Sequence, residues 1–229
     1  MRAVFKTMFK LKNELGLKVT TALSRAGLEV ARLYGILDSL SIISPGGYYE
    51  EIFVDDPLRP VSRIPGRVMA GCYDVVVLAP ATANTVAKIV RGIADTIVSQ
   101  AFSMALKSGT PVVILPSDHS KVVEAKMPCL IDPETCRACP ECPPEISCPH
   151  GAILRGEDGK AHIDMASCRG CEACVSSCPH GAISCWKRIE VRCREVDLAN
   201  VRELEVIGGV EVVKDEVQLY HVLRRLLSG

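Results

Sequence analysis

The chain has 229 residues, 48% of them hydrophobic, which is enough for one good core and a small second one. Its 27 Lys and Arg residues balance 27 Asp and Glu residues, so net charge indicates neither a nucleic acid nor an anionic membrane surface as a partner. No apolar run approaches the roughly 18 to 20 residues of a membrane span, and the predicted location is cytoplasmic.

The first elements combine helical and strand patterns. The start, MRAVFKTMFKLKNELG, predicts a surface helix, although a basic amphipathic start also occurs in transit peptides. Residues 17–24, LKVTTALS, predict a β-branched strand, and residues 26–37, AGLEVARLYGIL, predict an amphipathic helix.

Residues 74–96, DVVVLAPATANTVAKIVRGIADT, predict a buried strand that runs straight into a helix. A further helix ends at Gly109 and leads into the strand PVVILPS. Such apolar strands separated by helices predict an α/β domain with a doubly wound parallel sheet, whose ligands bind at the carboxyl ends of strands. Thr82, Asn84 and Thr85 follow one such strand, where a helix start offers free N–H groups to an anion; a helix cap without a ligand explains them too.

Eight of the twelve cysteines lie within residues 136–178. CRACPECPPEISCPHGAI and CRGCEACVSSCPHGAI form an internal duplication with two residues inserted in the first copy. Both copies resemble two-cluster bacterial ferredoxins, in which three close cysteines bind one iron–sulfur cube and the remote fourth cysteine binds the other. The predicted 4Fe–4S ligand sets are Cys136, Cys139, Cys142 with Cys178, and Cys168, Cys171, Cys174 with Cys148.

Other metal and thiol chemistry fits these residues less well. Zinc prefers paired CxxC knuckles to the CxxCxxC spacing found here. His150 and His180 are predicted to be turn residues rather than ligands, because four cysteines already complete each cube. Four cysteines outside the motif are predicted to be free and buried, and no secretion signal favours disulfides. These are Cys72, Cys129, Cys185 and Cys193.

The segment APATANTVAKIVRGIAD resembles the signature of the homo-oligomeric flavin-containing flavoproteins, a family that includes phosphopantothenoylcysteine decarboxylase, lantibiotic cysteine decarboxylases, flavin prenyltransferases and archaeal ferredoxin-linked flavoproteins. This resemblance implies a homo-oligomer with FMN between subunits. The flavin-binding residues it implies are Ser24, Thr82, Ala83, Asn84 and Thr85.

The chain departs from the family in two respects. In the family, the decarboxylases need a histidine near the flavin and a clamp after the later strand, and the prenyltransferases need a phosphate-binding arginine at that strand end. This chain has no histidine before His119 and reads LPSDHSK after the strand, so neither activity is expected. The family also opens with a central strand and a turn that holds the flavin phosphate, whereas this chain opens with a helix. We expect a gap in the sheet, and either a native start upstream of Met1 or a weakened phosphate site.

The segments KVVEAKMPC and RIEVRC predict an antiparallel hairpin with the ferredoxin inserted at its tip, followed by a strand at residues 210–213 and a helix from Glu216. The predicted domains are a flavoprotein domain over residues 1–126, an α+β ferredoxin domain over 127–186, and a closing strand and helix over 187–229.

These parts predict an iron–sulfur flavoprotein oxidoreductase. Electrons pass from a one-electron donor such as a ferredoxin through two 4Fe–4S clusters to FMN and then to an acceptor. The arrangement most resembles archaeal flavoproteins that reduce dihydromethanopterin to tetrahydromethanopterin, which implies a pterin-like acceptor. Asp118 and His119 are candidates for contacting a pterin or donating a proton, or are only surface residues. An electron-transfer flavoprotein without a small substrate, and a plain ferredoxin with a flavinless domain, are the alternatives.

Overall fold

The computed structural model describes residues 1–56 and 63–228. Its helices are α1 (Arg2–Leu15), α2 (Arg25–Leu33), α3 (Leu40–Ile43), α4 (Arg63–Met69), α5 (Ala83–Val90), α6 (Ile97–Ser108), α7 (Pro143–Ser147), α8 (Ala173–Ser177), α9 (Glu195–Glu205) and α10 (Glu216–Leu227). Its strands are β1 (Thr21–Leu23), β2 (Ile52–Val54), β3 (Val76–Ala81), β4 (Val112–Pro116), β5 (Val122–Lys126), β6 (Leu130–Ile131), β7 (Ile153–Arg155), β8 (Ala161–Ile163), β9 (Ile183–Ser184), β10 (Arg188–Arg192) and β11 (Val210–Val212).

The chain divides into two compact units. The first contains residues 1–28, 38–123 and 192–229, and the second contains residues 29–37 and 124–191. Among the described residues, no helix is long and apolar enough to cross a membrane.

The core of the first unit is a parallel sheet in the order β11, β4, β3. Every residue of the central strand β4 is buried, as its continuous apolar sequence predicts for a strand covered on both faces. Val112 and Ile114 pack in the same cluster as residues of α4, α5, α6 and α9. Val113 and Leu115 point to the other face, where they pack with residues of α1 and α10. The predicted doubly wound α/β fold is therefore confirmed.

Strands β1 and β2 form a separate two-stranded parallel sheet. Ala22 of β1 and Phe53 of β2 pack on the cluster that contains Leu78 and Ala81 of β3, although no strand ladder joins the two sheets. The gap that we expected in the sheet is therefore present among the described strands.

The second unit contains three short antiparallel ladders around two short helices. Strands β5 and β10 pair as the predicted hairpin, and beyond it β6 pairs with β9 and β7 with β8. Ser147 at the end of α7 donates a hydrogen bond to Ser177 at the end of α8, with a distance of 2.8 Å between the two Oγ atoms. The two copies of the duplicated motif thus meet at matching residues.

Candidate functional site

The predicted elbow is the junction between β3 and α5. Thr82 is the N-cap of α5, and its hydroxyl oxygen accepts a hydrogen bond from the backbone N–H of Thr85 at 3.4 Å. The N–H groups of Ala83 and Asn84 lie in the first turn of α5, so they have no acceptor within the helix. Asn84 is exposed, and its amide makes no hydrogen bond to the residues that the structure describes. The elbow therefore combines a cap with donors free for a ligand.

Polar residues also follow both strands of the separate parallel sheet, β1 and β2. Ser24 comes directly after β1, and its Oγ accepts a hydrogen bond from the N–H of Gly27 at 3.1 Å, so it caps the first turn of α2. Asp55 comes directly after β2, and its carboxylate accepts a hydrogen bond from the N–H of Ile97, the first residue of α6, at 2.8 Å. This role of Asp55 was not predicted, because a single acidic residue between a short strand and a loop carries no sequence pattern.

The carboxyl end of β4 lies beside the elbow. The N–H of Ser117 donates to the carbonyl of Ala81 at 2.8 Å, which brings Ser117 and the following Asp118 to the end of β3. The Sγ of Cys193 lies 3.4 Å from a carboxylate oxygen of Asp118, to which the thiol donates. Burial, followed by this hydrogen bond, raises the pKa of the Cys193 thiol above its usual value, so the thiol keeps its proton at neutral pH. The His119 ring pairs through Nδ1 with the Pro116 carbonyl at 3.2 Å.

The first predicted cysteine set lines a single cavity in the second unit. Apolar side chains such as Ile131 and Ile183 form part of its wall. All four sulfur-bearing residues that we predicted to share a cube, Cys136, Cys139, Cys142 and Cys178, lie on it. A thiol-lined, largely apolar cavity fits an iron–sulfur cube.

The second predicted set gathers around Cys174, which is 7% exposed. Burial raises the pKa of the Cys174 thiol to about 11, and its neighbours Cys148, Cys168 and Cys171 add to that rise. These three are the cysteines with which we predicted Cys174 to share a cube. A metal centre here would take the four sulfurs as thiolates.

Helix α7 separates Cys142 of the first predicted set from Cys148 of the second. The two cysteines cap its opposite ends, and its five residues hold their backbones about 9 Å apart. In addition, the N–H of Ala152 donates to the Sγ of Cys148 at 3.3 Å, a type of contact that tunes the potential of iron–sulfur centres.

The four remaining cysteines correct the prediction. Cys129 and Cys185 are joined by a disulfide, whereas we expected free thiols. The reason is the ladder between β6 and β9, which pairs Leu130 with Ser184 and so sets the two cysteines opposite each other. Cys72 is exposed and Cys193 only half-buried, so neither is the buried hydrophobe that we expected. His150 and His180 are both exposed, as turn residues would be.

Known proteins resemble the chain over most of its length. The family described as Flavoprotein matches residues 3–163, and a 4Fe–4S binding domain matches residues 160–183. The dihydromethanopterin reductase (acceptor) of Methanosarcina mazei is 40% identical over 211 residues, which cover 92% of this chain and 87% of that protein. The protein of the same name from Methanocaldococcus jannaschii is 40% identical over 222 residues, covering 96% and 89%.

Among solved structures, Burkholderia xenovorans DmrB in complex with FMN, described as a cubic protein cage for redox transfer, covers 92% of this chain and 96% of its own, with 18% identity and a TM-score of 0.48. The family match spans more than half of the chain, and it agrees with the doubly wound sheet and the elbow at its edge. The chain thus belongs to the flavoprotein family, and with its 4Fe–4S binding domain it is an iron–sulfur flavoprotein oxidoreductase.

Proposed function

We propose that this chain reduces a pterin-like acceptor, converting dihydromethanopterin to tetrahydromethanopterin with electrons from an external one-electron donor such as a ferredoxin. The observation that carries the proposal is the 40% identity to two proteins named for this reaction, each covered over most of its length. A shared fold alone would not identify a substrate, because one fold serves many reactions.

Two 4Fe–4S clusters are proposed to receive the electrons. One would be held by Cys136, Cys139, Cys142 and Cys178, and the other by Cys148, Cys168, Cys171 and Cys174. The cavity lined by the first set and the mutual influence of the thiols in the second set support this division. An N–H group donates to the Cys148 sulfur, whereas no described residue donates to the Cys178 sulfur. This difference gives the two proposed centres different surroundings and favours different potentials.

The elbow is proposed to bind FMN. Thr82, Ala83, Asn84 and Thr85 would offer hydroxyl, backbone N–H and amide groups at a helix start, and the Ser24 hydroxyl would donate its proton while its oxygen still caps α2. Bound FMN supplies the step from single electrons to a hydride, which no side chain of the chain can perform. The protein's own contribution is to hold and orient the flavin with groups that remain uncharged.

Near the elbow, Asp118 and His119 are the proposed residues for contacting the pterin or donating a proton. Ser117 joins their segment to the end of β3, and the Cys193 thiol donates a hydrogen bond to the Asp118 carboxylate at 3.4 Å.

A homo-oligomer with FMN at the subunit interface is proposed as the working assembly. Thr82 and Asn84 are exposed in a single copy, so a second surface is needed to enclose a ligand bound there. Ile52 and Val54 are also exposed, at 38% and 37%, on one face of β2, which a partner copy could cover. Native mass spectrometry with and without FMN would measure this assembly.

The test is anaerobic purification followed by flavin and iron analysis, and then stopped-flow reoxidation. We expect bound FMN, about eight irons per chain as two cubes require, and reoxidation of the reduced flavin by dihydromethanopterin. Reoxidation by a partner protein but by no pterin would indicate an electron-transfer flavoprotein instead. Protein with a full set of irons and no flavin would indicate a ferredoxin with a structural domain.

A further inference from the structure

The disulfide between Cys129 and Cys185 lies in the second unit, outside both predicted ligand sets. The sulfur atoms of Cys129, Cys174 and Cys185 all lie within 4.8 Å of one another. Cys129 is 1% exposed and Cys174 7% exposed, whereas Cys185 is partly accessible. A disulfide thus lies within 4.8 Å of the sulfur of a proposed cluster ligand and has one end open to solvent.

The other cysteines show that this bridge is exceptional within the chain. Eight of the ten remaining cysteines are proposed iron ligands, and this role requires them to stay reduced. A purely structural disulfide belongs to an environment that oxidises thiols generally. A single disulfide beside cysteines that must stay reduced instead fits the transient, redox-active kind.

A metal site formed by the three sulfurs does not fit as well. Metal ions bind cysteine as the thiolate, and two of the three sulfurs are already bonded to each other. What the arrangement offers is a bond that electrons can open, next to a sulfur that is proposed to be bonded to iron.

We propose that Cys129 and Cys185 form a redox-active disulfide that exchanges electrons with the centre proposed at Cys174. Two one-electron equivalents from a reduced ferredoxin-type donor open the sulfur–sulfur bond, and two protons from solvent, which reaches Cys185, give two thiols. The reverse step returns two electrons and two protons and closes the bond. The two cysteines would let a protein that receives electrons one at a time store two of them.

This inference rests on the proposed function, because it takes Cys174 to be an iron ligand. The protein as isolated, with its iron and flavin, is titrated anaerobically with reduced ferredoxin. At each point, free thiols are alkylated and mapped by mass spectrometry, while visible absorption reports the iron–sulfur centres. We expect the peptides of Cys129 and Cys185 to pass together from linked to alkylated within the range over which the centres are reduced.

The electron count provides a second, independent measurement. Replacing both residues, Cys129→Ser with Cys185→Ser, should lower the number of electrons taken up by two per chain, since a disulfide is a two-electron couple. Cys72→Ser, which removes an exposed free thiol in the other unit, should leave the number unchanged. If the double variant fails to assemble its centres, the mapping of the unaltered protein still decides.

One result would overturn the redox inference alone. If Cys129 and Cys185 stay in one state, linked or free, while the iron–sulfur centres pass from oxidised to reduced, the pair is not in exchange with them. Isolated protein without iron would instead contradict the proposed function, and this inference would fail with it. The iron analysis therefore distinguishes the two failures.

Discussion

Gly170 lies inside the second cysteine loop, between Cys168 and Cys171, and it permits a close contact there. Its φ is +61°, and a Cβ at this position would lie 2.6 Å from the carbonyl oxygen of Leu33 and 2.6 Å from Cζ2 of Trp186. A backbone oxygen cannot move aside as a flexible side chain can. Gly170→Ala should therefore displace the loop that carries two proposed iron ligands.

The magnitude has two parts. A left-handed conformation costs a non-glycine residue about 1–2 kcal/mol, and overpacking a close contact costs about 1–3 kcal/mol more. Gly151 offers a matched control, because it follows Cys148 of the same predicted ligand set, has φ +58°, and has no atom within 4 Å of the added Cβ. Gly151→Ala should thus lower the free energy of unfolding only by the first part, whereas Gly170→Ala should lower it by about 2–5 kcal/mol in total.

The assay is anaerobic unfolding in guanidinium, followed by the loss of iron–sulfur absorption and accompanied by iron analysis. Gly170→Ala should lose its absorption at clearly lower denaturant than Gly151→Ala, and it should retain less iron. Equal losses in the two variants would refute the reasoning, because they would mean that Leu33 and Trp186 do not approach the loop in the iron-loaded protein.

Three further predictions concern the proposed centres, the elbow and the acid stability of the first unit. Cys178→Ser and Cys148→Ser should each lower the iron content from about eight to about four atoms per chain. Electron paramagnetic resonance should show a different remaining cluster in each variant. The same remaining cluster in both would contradict the proposal that each cluster takes its fourth cysteine from the other motif. Asn84→Ala should weaken FMN binding by about 2- to 10-fold, the contribution of one hydrogen bond, as measured by fluorescence titration. Asn13→Ala, at an exposed helix residue, is the control and should leave the affinity unchanged. Equal affinities of the two variants would exclude Asn84 from the site. Arg194 lowers the pKa of Asp197 through two 2.8 Å contacts, so this carboxylate stabilises the fold above its ordinary pKa of about 4, and the stabilisation is lost as pH falls through the lowered pKa. Urea unfolding of Asp197→Asn should accordingly approach that of the unaltered protein as the pH falls, and a constant difference at all pH values would argue against the ion pair.

Long periodic segments were predicted well because their patterns depend on local geometry. Helices α1, α6 and α10 and the buried strand β4 lie where the apolar spacing indicated. Helix α9 was missed, because two of its buried residues, Asp197 and Asn200, are polar and interrupt the apolar face. Strand β2 was missed because three residues between acidic neighbours are too short to show a period.

Long-range partners explain most of the remaining differences in the candidate site. The four cysteines of the first predicted set line one cavity, and a repeat with a known ligand pattern can indicate such partners even at a distance. No such pattern connects Cys129 with Cys185, which are 56 residues apart and meet only through the register of β6 and β9. The contact of Cys193 with Asp118 likewise depends on the β5 and β10 hairpin, whose end brings the N–H of Cys193 to the carbonyl of Lys121.

The carboxyl edge of the two parallel sheets shows how structural and binding roles divide among similar residues. Ser24, Asp55 and Thr82 each accept a hydrogen bond from the start of a helix, so each stabilises the fold whether or not a flavin is bound. Their oxygens are engaged; the Ser24 hydroxyl keeps a proton to donate, whereas the Thr82 hydroxyl also pairs with the Thr85 hydroxyl at 3.3 Å. The exposed Asn84 side chain makes no hydrogen bond to the described residues, so its replacement should affect FMN binding with little change in stability. At Thr82, by contrast, a loss of flavin affinity and a loss of helix capping would occur together, because the same hydroxyl has both roles.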